Sequence, residues 1–256
     1  MPVEVLKDAD AVARRAAELF AAAAQAATAA RGAFTVALSG GETPGAMYRI
    51  LAHQSFTQKV PWRRVHLYWG DERCVPPDSE RSNYRQAAES FIRHVPIPPE
   101  NVHRMRGEDD PAQAALDYEK LLLAPPARAE HSPASLPVLD LVLLGLGADG
   151  HTASLFPHSP ALTVEDRLVV PNEAPSEAEV KGPRLTLTVP VINAARHVVF
   201  VVTGAAKAGV VAAVLEGPRR PTTIPAQFVA PGKGTLIWLM DEAAAAELSS
   251  AARGGA

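Results

Sequence analysis

Leu139-Asp140-Leu141-Val142-Leu143-Leu144-Gly145-Leu146-Gly147-Ala148-Asp149-Gly150-His151-Thr152 runs from an apolar segment into a glycine-rich loop that ends on a histidine. A short apolar run stopped by glycine suits a strand buried on both faces, as in the middle of a parallel sheet. Similar runs recur along the chain. Phe34–Leu38 stops at Ser39-Gly40-Gly41, Val65–Trp69 at Gly70-Asp71-Glu72-Arg73, Val198–Val202 at Thr203-Gly204, and Leu236–Leu239 shortly before Asp241. Val3–Leu6 reads as a short first strand. Helical patterns fill the gaps: one capped by Asp8 and ended by Gly32 after about Arg31, then Pro44–His53, Ala205–Leu215 and a last one from about Asp241. Val95–Asn101 and Pro125–Pro137 read as loops. The alternation predicts an α/β fold with a mainly parallel sheet, helices on both sides, and a single domain over residues 1–256. In open parallel sheets ligands bind beyond the carboxyl ends of the strands, so the residues that follow each run are the place to look for chemistry.

Composition narrows the classes of function. The chain has 256 residues, enough to bury a sizeable core without disulfides or metals. Its formal net charge of −3 provides no field for nucleic acid or an anionic membrane. Cys74 is the only cysteine, which excludes an internal disulfide and fits a reducing compartment. No basic start followed by an apolar core reads as a signal peptide. The alanine-rich stretch from Ala16 to Ala30 is interrupted by Glu18, Gln25 and Thr28, too polar and too short for a bilayer. The expectation is a cytoplasmic protein, monomer or homodimer, with no nucleic acid or membrane partner.

The loop from Gly145 to Thr152 satisfies G-x-G-x-x-G, and Glu165 follows at a distance suited to a ribose contact. A dinucleotide fingerprint must open a full helix, however, and Pro157 and Pro160 leave room for only about two turns. The better reading centres on His151, a residue type suited to general-base work near pH 7, with Asp149 placed to orient it or to meet a ligand. The other seven histidines are taken as structural. No pair has metal-ligand spacing, so neither a metal nor any other cofactor is expected.

Ser39-Gly40-Gly41-Glu42-Thr43-Pro44 links a strand to a helix. Thr43 reads as the helix cap and Pro44 as its first residue. An ordinary turn explains much of this. The paired glycines and the helix start would also suit an anion. Gly70-Asp71-Glu72-Arg73 reads either as a solvated charged loop or as a site in which Asp71 or Arg73 meets a ligand. Ser82-Asn83-Tyr84 is expected to pack beneath it, and Cys74 is read as an inert thiol. Arg184 and Lys207 are isolated cations near the ends of buried elements. They are either surface charges or parts of a shared phosphate site.

Taken together, these segments resemble the 6-phosphogluconolactonase family, within a larger group that includes glucosamine-6-phosphate deaminases. The matching pieces are Ser39–Pro44, Trp69–Arg73, Ser82–Tyr84, Gly145–Pro157, Pro183–Thr188, Gly204–Lys207 and Pro225–Gln227, in family order over roughly residues 34 to 247. Gln227 and Phe228 depart slightly from the usual pattern. The resemblance implies a three-layer α/β/α, Rossmann-like domain. It implies a phosphosugar lactone as substrate, with its phosphate held by Ser39, Gly40, Gly41, Thr43, Arg184 and Lys207. It further implies that His151 activates water, with Asp149, Asp71 and Arg73 in the catalytic set. Two alternatives stand beside it. An amino-sugar-phosphate isomerase would carry a glutamate soon after the histidine, and Ala153–Phe156 offers none. A sugar-phosphate sensor would carry a DNA-binding segment, and only about 33 residues precede the Phe34 strand.

Overall fold

The structure is a computed structural model that describes residues 2–127, 136–176 and 181–253. In chain order the elements are β1 (Val3–Leu6), α1 (Ala9–Arg31), β2 (Phe34–Leu38), α2 (Glu42–Ala52), α3 (Gln54–Thr57), β3 (Val65–Trp69), β4 (Asp71–Arg73), α4 (Asn83–Ser90), α5 (Pro111–Leu123), β5 (Leu141–Leu144), β6 (Val169–Glu173), β7 (Pro183–Leu187), α6 (Val189–Ala194), β8 (His197–Val202), α7 (Ala208–Leu215) and β9 (Thr235–Asp241). Six strands form a parallel sheet in the order β1-β9-β8-β5-β2-β3. The apolar runs are its central strands because β2 and β5 are buried along their whole length. Helices clothe such a sheet on both faces, giving the three-layer α/β/α fold.

Helix α1 starts and stops where its sequence dictates. The Asp8 carboxylate accepts from the Ala11 N–H at 2.9 Å, and Gly32 takes φ 78° while its own N–H closes back on Thr28. Its alanine face, from Ala13 to Ala27, is buried, with Phe20 set edge-on to Phe34 of β2. Small side chains let this helix lie close to the sheet. One continuous core of buried residues runs from Val12 to Leu248.

The strand order reverses between β2 and β5. From β2 the chain proceeds outward to β3, whereas from β5 it proceeds the other way to β8 and β9. The loops leaving β2 and β5 therefore diverge and open a crevice at the carboxyl edge. A second, antiparallel sheet in the order β4-β7-β6 is tied to the main one: the Gly70 N–H donates to Leu38 and the Leu187 N–H to Gly70. This small sheet, which the apolar runs do not announce, carries Asp71 and Arg73.

Several local expectations are corrected. Helix α2 begins at Glu42 rather than Pro44, and Gly41, not Thr43, is its cap. Gly41 sits at φ 107°, a conformation open to glycine, so the chain turns before Thr43. Residues 205–207 form a 3₁₀ turn ahead of α7. The helix expected from Asp241 is a run of turns instead, with i→i+3 bonds from Ala246 to Ala243 and Leu248 to Ala245. The Val95–Asn101 loop contains a 3₁₀ turn at Pro99–Asn101. Most of the loop expected at Pro125–Pro137, residues 128–135, lies outside the described residues. No helix among the described residues is long and apolar enough to cross a membrane.

His103 packs between Tyr68 and His66, stacked on the first at 4.5 Å and on the second at 5.5 Å between ring centroids. Burial, followed by the neighbouring His66, lowers its pKa to about 4. The unfolded chain binds this proton more readily, near pH 6.5. The stabilisation is thus complete above about 6.5 and is lost as pH falls toward 4. Denaturant unfolding at pH 7 and pH 5 should show a lower midpoint at pH 5, and a smaller difference in His103→Phe.

Candidate functional site

Four loops meet at the crevice because four strands end there. The turn after β2 supplies Ser39 to Thr43, the link after β3 supplies Asp71 and Arg73, the loop after β5 supplies Gly145 to Ala153, and the turn after β8 supplies Thr203 and Lys207. Together they line one cleft of about 600 Å³. A space of this size suits a small-molecule ligand.

His151 is held from three sides. Its Nδ1 lies 2.5 Å from Asp149 Oδ1, which also accepts the His151 backbone N–H at 3.1 Å. Such a carboxylate keeps the proton on Nδ1 and leaves Nε2 with its lone pair. Phe156 packs against the ring at 4.9 Å between centroids. The third side is Gly147, where an added Cβ would stand 2.1 Å from Nδ1 and 2.6 Å from Asp149 Oδ1. The side chain of His151 is 32% exposed, enough for Nε2 to meet water in the cleft. Burial raises the Asp149 carboxyl, but the His151 hydrogen bond, the imidazole charge and backbone donors outweigh it and hold the group below its usual range. As the proline positions require, no helix follows the G-x-G-x-x-G pattern. The chain makes a tight turn with Ala153 at φ 48°, closed by Leu155 N–H on Thr152.

The wall opposite is organised by acids. Asp71 is buried and accepts the Ser154 hydroxyl at 2.6 Å, while Asn83 donates to the Asp71 carbonyl at 2.9 Å. Glu72 points away from the cleft and collects four donors: the N–H groups of Arg73, Asn83 and Tyr84 and the hydroxyl of Ser82, at 2.7 to 3.0 Å. Burial still pushes the Glu72 carboxyl above its ordinary value against these bonds. Ser82-Asn83-Tyr84 thus anchors the charged segment from below. Arg73 donates from Nη1 to the Arg81 carbonyl at 2.6 Å, which fixes its side chain at the cleft.

At the other end, the Tyr48 hydroxyl holds the Ser39 carbonyl at 2.7 Å, and the hydroxyls of Thr43 and Thr203 meet at 2.7 Å. Thr43 therefore bridges to the β8 loop instead of capping α2. Lys207 enters through the turn at Gly204, which has φ 97° and donates its N–H to both Asp241 oxygens at 3.0 Å. Within helix geometry, the N–H groups of Glu42 and Thr43 have no acceptor. Arg184 is placed differently from the rest of the expected set. It lies buried on β7, opposite Arg73 in register, and is not among the residues that line the cleft. Burial lowers its pKa, and Arg73 lowers it further. Among the described residues, no three His, Cys, Asp or Glu side chains converge as a metal would need.

A family model described as glucosamine-6-phosphate isomerases/6-phosphogluconolactonase matches residues 7–238. The chain belongs to this family. Its relatives include the 6-phosphogluconolactonase of Nostoc sp., 43% identical with 96% of this chain and 98% of that one covered. The 6-phosphogluconolactonase of Mycobacterium tuberculosis is 40% identical, with 97% and 98% covered. Among solved structures, the 6-phosphogluconolactonase from Trypanosoma cruzi superimposes with a TM-score of 0.84 at 29% identity, covering 97% of each chain. A monomeric glucosamine-6-phosphate deaminase shares the fold, with a TM-score of 0.80 at 21% identity, covering 96% of this chain and 100% of that one.

Sequence reasoning did not single out Thr203, which lines the cleft, or Ser154 and Gln86, which hold residues that line it. None carries a local signal, since each matters through a partner distant in sequence.

Two predictions follow from this geometry. In Gly147→Ala the His151 ring must leave Asp149. The ¹⁵N shifts of the ring should then change from the Nδ1–H form to a tautomer mixture, while the wild type holds one form. Burial raises the Cys74 thiol to about 11, so it stays protonated at neutral pH. Iodoacetamide at pH 7.5 should label the folded protein far more slowly than the urea-unfolded chain.

Proposed function

We propose that this chain hydrolyses 6-phospho-D-glucono-1,5-lactone to 6-phospho-D-gluconate. The observation that carries this reading is that an oriented imidazole and an anion-suited turn with a lysine line a single cleft. The names of the relatives at 40% identity and above support the same substrate.

The phosphate would sit at the α2 start, against the Glu42 and Thr43 N–H groups, the Thr43 hydroxyl and Lys207. A helix N-terminus favours an anion through unpaired donors and its dipole. Fixing that end delivers the lactone carbonyl toward His151. Nε2 takes a proton from water as the water oxygen bonds to C1, and the carbonyl electrons move onto oxygen. Arg73 lies on this wall and would stabilise that oxyanion. Collapse re-forms the carbonyl and breaks the bond from C1 to the ring oxygen, which receives the proton from His151. Arg184, buried and paired with Arg73 across β4 and β7, would add positive potential to this wall. Asp71, fixed by Ser154 and Asn83, is suited to a sugar hydroxyl.

Phe156 favours hydrolysis over amino-sugar isomerisation. Isomerisation needs a further acid–base group beside the base, and here the ring packed against His151 is apolar.

A hydrolysis assay with freshly made lactone, with and without chelator, tests the reading. Rapid acid release at equal rates is expected, and a rate no greater than that of buffer would overturn it. His151→Ala should lower kcat by roughly 10²–10⁴-fold while 6-phosphogluconate binding changes little. Near-normal turnover in the folded variant would remove His151 from the mechanism. Lys207→Ala should raise KM with kcat nearly kept, because phosphate contacts are shared by ground and transition states.

A further inference from the structure

We infer that Gln86 is a positioning residue that sets the preference for phosphorylated over unphosphorylated lactones, an inference that rests on the function proposed above. Gln86 lies on α4 and does not line the cleft. Its side-chain amide nevertheless grips both backbone groups of one residue of the anion turn. The Gly41 N–H donates to Gln86 Oε1 at 3.0 Å, and Gln86 Nε2 donates to the Gly41 carbonyl at 2.8 Å. Gly41 is extended at φ 107° and ψ 171°, and the glutamine amide pairs with it as a neighbouring strand would.

This grip decides which donors the turn offers. Gly41 N–H is used by Gln86, and Pro44 has no N–H. The α2 start is thus left with Glu42 N–H and Thr43 N–H for a ligand. The grip also sets where they stand, because Gly41 precedes Glu42 directly and caps the helix. Glycine at positive φ has wide conformational freedom, so without a partner this residue would sample many orientations. Gln86 removes that freedom before a ligand arrives, which lowers the cost of binding.

The position of Gln86 is itself fixed from the catalytic wall. Helix α4 is capped by Ser82, and its first N–H groups are held by Glu72. One residue into the helix, Asn83 joins the Asp71 carbonyl and fills the space beside Gly40, where an added Cβ would stand 1.9 Å from its Oδ1. Gln86 follows one turn later, close enough to Gly45 that a Cβ there would meet Nε2 at 3.0 Å. Through α4, the wall carrying Asp71 and Arg73 and the turn carrying the anion donors keep a set separation. A substrate whose phosphate fits one end then presents its carbonyl at the other.

The test compares Gln86→Met, which keeps shape but cannot pair with Gly41, and Gln86→Ala with the wild type. KM for the phosphorylated lactone should rise up to about tenfold, as expected for two lost hydrogen bonds, with kcat at saturation reduced less than about twofold. The kcat/KM ratio for 6-phosphogluconolactone over unphosphorylated gluconolactone should fall by about the same factor. Thermal-shift titration with inorganic phosphate should show correspondingly weaker binding in both variants. An unchanged ratio, or phosphate bound as tightly as by the wild type, would overturn the inference. So would a fall in kcat alone, since that places the effect at the reacting end. The two claims fail separately. A wild type that opens no lactone sinks the proposed reaction, whereas a wild type that opens it with the same phosphate preference as Gln86→Met sinks only the role of Gln86.

Discussion

The carboxylate of Glu72 is the interaction on which the site's geometry depends. A buried carboxylate is costly unless its oxygens are satisfied, and here three donors from Ser82 to Tyr84 and the N–H of Arg73 satisfy them. The consequence is mechanical. The end of β4 and the start of α4 cannot separate without stranding a buried charge. Asp71 and Arg73 flank Glu72 in sequence, and Asn83 and Gln86 follow its partners. The wall of Asp71 and Arg73 and the turn at Gly41 are therefore both referred to one group that does not line the cleft.

The loop after β5 solves a different problem. In the proposed reaction the histidine takes a proton from water, which requires it to present one nitrogen and protect the other. Asp149 occupies Nδ1, Phe156 fills one flank, and the missing side chain at Gly147 gives the ring its place. The glycines that mimic a dinucleotide fingerprint serve this end. Gly147 makes room for the imidazole, and Gly150, at φ 83°, turns the chain beside Ile224. The same residue pattern thus takes another meaning once prolines forbid the helix that a dinucleotide would need.

The central sheet was readable because buried strands have a simple signature. Phe34–Leu38, Val65–Trp69 and Val198–Val202 are mainly apolar runs, and a glycine follows each within two residues, where the structure places the crevice. His151, Asp149 and the Ser39–Thr43 turn were readable for the same reason, since each directly follows such a run. The small antiparallel sheet was less visible. Its strands are short and mixed in polarity, and β4 is only Asp71–Arg73. Thr43 was assigned as a cap because its residue type suits one. Gly41 can turn the chain earlier, and Thr203, 160 positions away, takes the hydroxyl instead.

By itself, then, the sequence determined the strand order of events: which segments are buried on both faces, where each stops, and which chemical groups follow. Those are local properties, set by side-chain polarity and by the backbone limits of glycine and proline. Tertiary structure alone decided which of these groups face one another. Arg184 went beside Arg73 on the neighbouring strand, Ser154 went to Asp71, and Gln86 went to Gly41. Those outcomes depend on partners 45 to 83 positions apart for the last two, and a hydrogen bond across such a distance leaves no periodicity in the chain that makes it.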